Sequence, residues 1–228
     1  MGSHLIRNYM NSRKILTLIA SIALVGCSFN NLLFNRAIES LRNQSEISID
    51  YYRDLSFASL LVELNNNQFV VILGDANKNR SRWFSSDNTI LVTRNYKVIA
   101  VDGFENDFTM INPPSIKQIY LNLFYSKGSN IESHNGYISF TNPKTSYLEI
   151  NFSYTLDRES SARKLLSSGK EGNVFLLTEQ FEIPLIRRKG KNYYWFDKNG
   201  IMQESKQEII SIQEKIRLSP IKYSKLDN

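Results

Sequence analysis

Cysteine is almost absent. Cys27 is the only one in 228 residues. A lone thiol makes no intramolecular disulfide, so the fold stands on its core and not on covalent staples. Histidine is as scarce, with His4 and His134 alone. One histidine beyond the N-terminal region, with no cysteine to join it, rules out a Cys–His nucleophile and a multi-histidine metal centre. The chain has no G-x-S-x-G, H-E-x-x-H or phosphate-binding glycine loop. It also lacks a long apolar run. Ile15 to Val25 is apolar except for Thr17 and Ser21, well short of the roughly 20 residues of a spanning helix. No acidic residue precedes Glu39.

What is present at the N-terminus makes sense of that short run. Arg7, Arg13 and Lys14 come first, the apolar segment follows, and Leu24-Val25-Gly26-Cys27 closes it. A basic n-region, a short h-region and small residues at a boundary are the parts of a secretory signal. Met1-Gly2-Ser3-His4 reads as a tag remnant and Met10 as an initiator; either start keeps Arg13 and Lys14 ahead of the apolar run. The tetrapeptide resembles a bacterial lipobox, which implies a diacylglyceryl group on the Cys27 thiol, cleavage before Cys27 and acylation of the new amine. Each buried CH₂ contributes about 0.8 kcal/mol and one chain alone binds marginally, so three chains would hold the protein firmly on a membrane. Ser28 at the next position resembles the outer-membrane default. Expected are therefore a signal peptide over 1–26, an anchor with a short helix and connector over 27–54, and one domain over 55–228. Cys27 is the expected lipidation site, palmitate the expected label, and no other cofactor or metal is expected.

Cleavage also changes the charge. Losing Arg7, Arg13 and Lys14 takes the formal charge from +6 to +3, too little for a nucleic-acid footprint. About 200 residues remain, enough for one core.

Strand patterns dominate the mature chain. Leu33, Phe34, Ala37, Ile38 and Leu41 have helical spacing and predict one amphipathic helix within Asn31 to Arg42; Asn43 to Asp54 reads as a connector. Phe57 to Leu64 and Phe69 to Leu73 flank Asn65-Asn66-Asn67 as a hairpin. Thr89 to Thr93 and Lys97 to Val101 form a second, around Arg94-Asn95-Tyr96. Ile116 to Phe124, after Pro113-Pro114, reads as a short helix or a strand. In Tyr147 to Leu156 the residues Leu148, Ile150, Phe152 and Tyr154 share one face. Arg158 to Ser168 reads as irregular or briefly helical. Val174 to Arg188 is a long strand with Pro184 at an edge or bulge. Turns are expected at Lys189 to Asn192 and at Lys198-Asn199-Gly200, with Tyr193 to Asp197 between them and Ile201 to Ile212 beyond. The expected fold is mainly β: an antiparallel barrel-like or half-open wrapped sheet with a few short helices.

Two stretches are candidate ligand surfaces. Trp83 and Asp87, within Arg82 to Asn88, could stack a sugar and hold its hydroxyls; equally, Trp83 plugs the core while Ser85 and Asp87 bond a turn. Arg187, Arg188, Lys189 and Lys191 precede Tyr193 and Trp195. Alternation sets Tyr193 and Trp195 on one face and Tyr194 and Phe196 on the other, so one pair is core and the other a platform beside four cations. An acidic polysaccharide or a lipid phosphate would suit it, as against a merely solvated basic turn. Asp87, Asp102, Glu105, Asp107, Glu149 and Asp157 are the carboxylates from which a glycosidase pair, roughly 5–10 Å apart, would have to be drawn.

Some of these residues also resemble a known family. Leu73-Gly74, Arg82-Trp83, Ser85, Asp87 and Leu91-Val92-Thr93, then Ser205 and Gln207 in the segment Tyr193 to Ile209, are similar to the YjbF-type lipoproteins, also called group 4 capsule polysaccharide lipoproteins. Asn95-Tyr96 stands where that family usually has Asn-Gly, and Glu105 to Glu171 carries no matching motif. The resemblance implies a mainly-β lipoprotein on the periplasmic face of the outer membrane, associated with capsule or exopolysaccharide production or export, with no catalytic residues. The expected role is a non-catalytic accessory factor with polysaccharide or secretion-pathway proteins as partners and no nucleic acid. Two other classes stay open: a periplasmic lipid or lipoprotein carrier with a half-barrel cavity, and a polysaccharide-modifying enzyme.

Overall fold

In the computed structural model, the described residues are 47–64, 67–77, 80–104, 106–126, 131–210 and 214–224. Cys27 and the helix expected within Asn31 to Arg42 lie outside them. Residues 44–228 form one compact unit.

Twelve antiparallel strands close into a barrel. They are β1 Ser59–Leu64, β2 Asn67–Asn77, β3 Arg80–Phe84, β4 Ile90–Arg94, β5 Lys97–Asp102, β6 Phe108–Ile111, β7 Ile131–Phe140, β8 Thr145–Leu156, β10 Glu171–Ile183, β11 Arg188–Phe196, β12 Met202–Ile209 and β13 Glu214–Lys222. Each pairs with the next in this series, and β13 returns to β1 to close the ring. The short β9, Ser161–Lys164, adds only to the start of β10. Closure removes the exposed edges that make open sheets prone to association.

Alternation fills the barrel. Leu148, Ile150, Phe152, Tyr154 and Leu156 of β8 are buried, as the sequence predicts. Leu60 and Val62 of β1, Tyr194 and Phe196 of β11, and Ile216 and Leu218 of β13 join them. On β8 the intervening Glu149, Asn151, Ser153 and Thr155 carry polar side chains outward, whereas Val70 and Ile72 of β2 and Ile221 of β13, which alternate with core residues, are apolar and buried. The polar outward row of β8 is the reverse of a membrane-spanning strand, whose outward band is apolar. Among the described residues no helix is long and apolar enough to cross a membrane.

Among the described residues, two short helices join the strands. Helix α1, Ile49–Asp54, is capped by Ser48 and packs Tyr52, 2% exposed, into the domain. That segment is therefore more than the expected connector. Helix α2, Ile116–Tyr125, starts at the Ser115 cap just after Pro113-Pro114. Its buried residues Ile116, Ile119, Tyr120 and Leu123 fall on one helical stripe. Tyr120 stacks on Phe196 at 4.5 Å and donates to the Asp197 carbonyl at 2.8 Å, so α2 closes one barrel end.

Two further local expectations need correction. The turn expected at Lys189 to Asn192 lies earlier. Pro184, lacking an N–H and fixed in φ, ends β10 and opens a 3₁₀ turn, Pro184–Ile186. Arg187 completes it at φ 51°, and Arg188 onward is already strand. Arg158 to Ser168 contains the strand β9. Glu105 to Glu171, the stretch without a family motif, supplies β6, α2, β7, β8 and β9.

Candidate functional site

The Trp83–Asp87 segment is a barrel corner. Trp83 is 1% exposed, its indole N–H donates to Thr93 Oγ1 at 2.9 Å, and its ring lies against Tyr96. Asp87 accepts from the Thr89 backbone N–H at 3.1 Å and from the Ser85 hydroxyl. Burial pushes its carboxyl up, but the bonds from Ser85 and Thr89 outweigh that and hold it below the ordinary aspartate value. A sugar-stacking role for Trp83 is thereby withdrawn: the ring faces the core because β3 alternation turns Arg82 and Phe84 away from it.

The same interior holds a charged cluster that no motif announced. Lys97 and Glu179, both fully buried, form an ion pair across the barrel. The Glu179 carboxylate also accepts from Tyr154 Oη at 2.6 Å, Asn192 Nδ2 at 2.6 Å and Tyr194 Oη at 3.4 Å. Lys97 Nζ reaches Tyr154 Oη at 3.3 Å and stands 3.8 Å above the Phe152 ring. Burial lowers the Lys97 pKa, against the opposing pull of Glu179. Burial, with the Glu179 charge beside them, pushes the Tyr154 and Tyr194 phenols well up. Next to this cluster Gln207 bridges the barrel: its Nε2 donates to the Tyr96 carbonyl at 2.7 Å and its Oε1 accepts from Val98 N–H at 2.8 Å.

The outward face is built differently. Strand register aligns Ser133, Ser153, Gln180 and Lys191 in one row across β7, β8, β10 and β11. The next row is Asn135, Asn151, Glu182 and Lys189. Both rows line a single open cavity of about 520 Å³. Lys189 pairs with Glu182 at 3.1 Å. Asn151 keeps a buried amide oxygen without a hydrogen-bond partner.

Of the predicted basic–aromatic cluster, the structure brings Lys189, Lys191 and Tyr193 onto this face. Arg188 turns to Glu208 in a largely buried pair, and Arg187 sits exposed on the 3₁₀ turn. Trp195 stacks with Tyr193, but the Arg163 guanidinium covers it at 4.0 Å and leaves it 9% exposed. Tyr194 and Phe196 are core, as alternation requires. Asp107 and Asp157 serve turns, accepting from the backbone N–H groups of Phe104 and Glu159. His134 faces Glu132 at 2.6 Å. Among the described residues no cluster of three or more His, Cys, Asp or Glu is arranged to hold a metal.

The family pattern described as "Group 4 capsule polysaccharide lipoprotein gfcB, YjbF" matches residues 26–219. The chain belongs to this YjbF family. No curated protein matches it. A solved structure, that of the hypothetical lipoprotein YmcC from Escherichia coli (K12), superposes with a TM-score of 0.65 at 18% identity, over 84% of this chain and 96% of that one. At that identity the likeness establishes the shared fold. The motif residues behind the resemblance now have a physical meaning. Trp83 bonds Thr93, Ser85 and Asp87 close a corner, and Ser205 and Gln207 tie the last hairpin to the Asn95–Tyr96 turn across the barrel. They build the YjbF barrel and leave its outer surface unassigned.

Proposed function

We propose that this YjbF-family chain is a non-catalytic accessory factor in capsule or exopolysaccharide production and export, tethered through a lipid on Cys27 to the periplasmic face of the outer membrane. The observation that carries this reading is the contrast between a filled interior and a polar outer surface across β7, β8, β10 and β11. Lys97–Glu179 and the Gln207 bridge run through the inside, where a lipid carrier needs an empty apolar cavity. Work by such a barrel falls to its outer face, as in a binding or docking module. The family description supports the capsule setting, and the family match reaches Leu24-Val25-Gly26-Cys27 at its first residue, Gly26. The family's partners would be the polysaccharide or other proteins of the secretion pathway.

The test is made in a strain deleted for the gene and complemented with the full chain. Wild type should take up labelled palmitate, fractionate with the outer membrane and restore polysaccharide output. Cys27→Ser should lose the label and most of the output, while Asp87→Asn and Glu149→Gln retain output, since a catalytic carboxylate would cost orders of magnitude. Unlabelled, freely soluble wild type overturns the anchor. A single carboxylate change that stops output in a folded, localised protein makes the chain an enzyme.

A further inference from the structure

We infer that the groove across β7, β8, β10 and β11 is a binding site for a segment of acidic polysaccharide; this rests on the accessory reading above and supplies its ligand contact. Unused hydrogen bonding marks the groove. The side chains of Ser133, Asn135, Asn151, Ser153 and Gln180 line it, and none has a hydrogen-bond partner among the described residues. An unpaired, buried amide oxygen such as that of Asn151 is costly to keep. Other polar side chains are engaged in turns, caps and the Glu179 cluster, among them Ser85, Asp107, Ser115 and Asn192. Here they converge, unengaged, on one concavity.

The chemistry of the lining selects the ligand class. Amides and hydroxyls both donate and accept, which suits sugar hydroxyls, themselves donors and acceptors at once. The Glu182 carboxylate adds an acceptor for hydroxyl pairs. One register step beyond Asn135 on the same outward face is Tyr137, 46% exposed, and one step beyond Lys191 is Tyr193. Aromatic faces at the two ends of a polar trough give sugar rings apolar surfaces to lie on. The acidic preference comes from Lys191, exposed and with no partner among the described residues, and from Arg187 beyond Lys189 on the turn. Lys189 is partly neutralised by Glu182, so the positive charge lies along the β11 side only. The volume, about 520 Å³, lies within the ~300–1,000 Å³ of small-ligand sites. A nucleic acid would call for more cations, and an apolar peptide for exposed apolar side chains, whereas Phe152 and Phe181, which also line the cavity, are each only 3% exposed.

The test is affinity electrophoresis of the full chain in detergent. The gels contain acidic extracellular polysaccharide purified from the strain that encodes the chain, or neutral dextran. Wild type should be retarded by the acidic polymer, less so as salt rises, and hardly at all by dextran. Asn151→Ala/Gln180→Ala/Lys191→Ala should weaken retardation roughly tenfold or more. Ser153→Trp, which removes no charge and fills the trough, should do the same. Lys198→Ala, on a distant turn, should behave as wild type, and all variants should unfold thermally with wild type. Absence of retardation of wild type, or equal retardation of every variant, overturns the site; equal retardation by dextran overturns the acidic ligand. The two readings fail separately. If gene deletion leaves polysaccharide output unchanged, the accessory role falls whatever the gels show. If deletion lowers output and the gels show no binding, the groove alone falls.

Discussion

Replacing Lys97 with Met removes one half of an ion pair whose side chains are both 0% exposed. The Glu179 carboxylate would keep Tyr154, Asn192 and Tyr194 as donors, but its charge would have no counterion. Breaking a buried pair in this way costs about 3–5 kcal/mol; the three neutral donors place Lys97→Met toward the lower end. Glu179→Gln strands the ammonium instead. Phe152 beneath it offsets part of the loss, and Lys97 can shed its proton. The double variant Lys97→Met/Glu179→Gln has no buried charge to strand, so it should be more stable than the sum of the two single losses predicts, with a coupling of about 2 kcal/mol or more. The pH dependence gives a second signature. Burial lowers the Lys97 pKa in the fold, and Glu179 opposes that shift. Without Glu179 the folded pKa falls further, while the unfolded chain keeps its proton up to about pH 10.4. The unfolded state of Glu179→Gln then binds more protons than the native state, so its stability should rise between pH 7 and pH 9 more steeply than that of wild type. Urea unfolding followed by the fluorescence of Trp83 and Trp195, both largely buried, measures each contribution from the midpoint at constant slope. Additive single losses, or a flat pH response in Glu179→Gln, would refute a charged pair in the barrel.

Two further outcomes follow from the interior. Tyr154 and Tyr194 have folded pKa values well above 10 because burial and the Glu179 charge disfavour the phenolate; their stabilising effect is complete below pH 10 and is lost above it, so tyrosinate absorption at the two sites should appear only together with alkaline unfolding. Phenolate formation by every tyrosine in a folded protein at that pH contradicts their burial. Tyr96→Gly should relieve the left-handed backbone at φ 66°, worth about 1–2 kcal/mol, yet lose a 5%-exposed ring packed on Trp83 and Tyr223, worth about 3–5 kcal/mol. Net destabilisation by about 2 kcal/mol is expected in urea unfolding, and a more stable variant would show that the ring contributes little.

Legibility in the sequence followed the local rules. The hairpins around 65–66 and around Asn95-Tyr96 are readable because turn residues separate apolar runs, and Leu148 to Leu156 because its period is two. Asn95 and Tyr96 both have positive φ, the geometry of a two-residue hairpin turn that favours Asn-Gly; the family's usual pair explains the turn that Tyr96 here adopts under strain. β6 leaves little trace because it is only four residues long, and β7 and β9 because most of their residues are polar or small and their pairing comes from neighbouring strands. The Lys97–Glu179 pair is invisible for a different reason: the partners are joined by ring closure, and a lysine beginning a strand after a turn reads as solvated. The groove has a trace in the polar positions Glu149, Asn151, Ser153 and Thr155 that alternate with the apolar ones. Only the pairing of β8 with β7 and β10 turns that half of the pattern into a surface.

The interior cluster and the outer groove are two faces of the same strands, and this gives the buried charges a role beyond stability. On β10, Glu179 and Phe181 point inward while Gln180 and Glu182 point outward; on β11, Asn192 and Tyr194 are inside while Lys191 and Tyr193 are outside; on β8, Phe152 and Tyr154 are inside while Asn151 and Ser153 are outside. A slip of one residue in any of these strands would exchange the faces. Apolar alternation resists that slip, which would turn the apolar set to solvent, but not a slip of two residues, which keeps the faces and shifts each side chain along the barrel. A carboxylate that needs Lys97 from β5, Tyr154 from β8, and Asn192 and Tyr194 from β11 at once has one satisfactory position. Moving Glu179 outward would leave Lys97 buried without its counterion, a loss of several kcal/mol that no single new apolar neighbour would offset. The groove residues are thus held in line by groups that never touch a ligand.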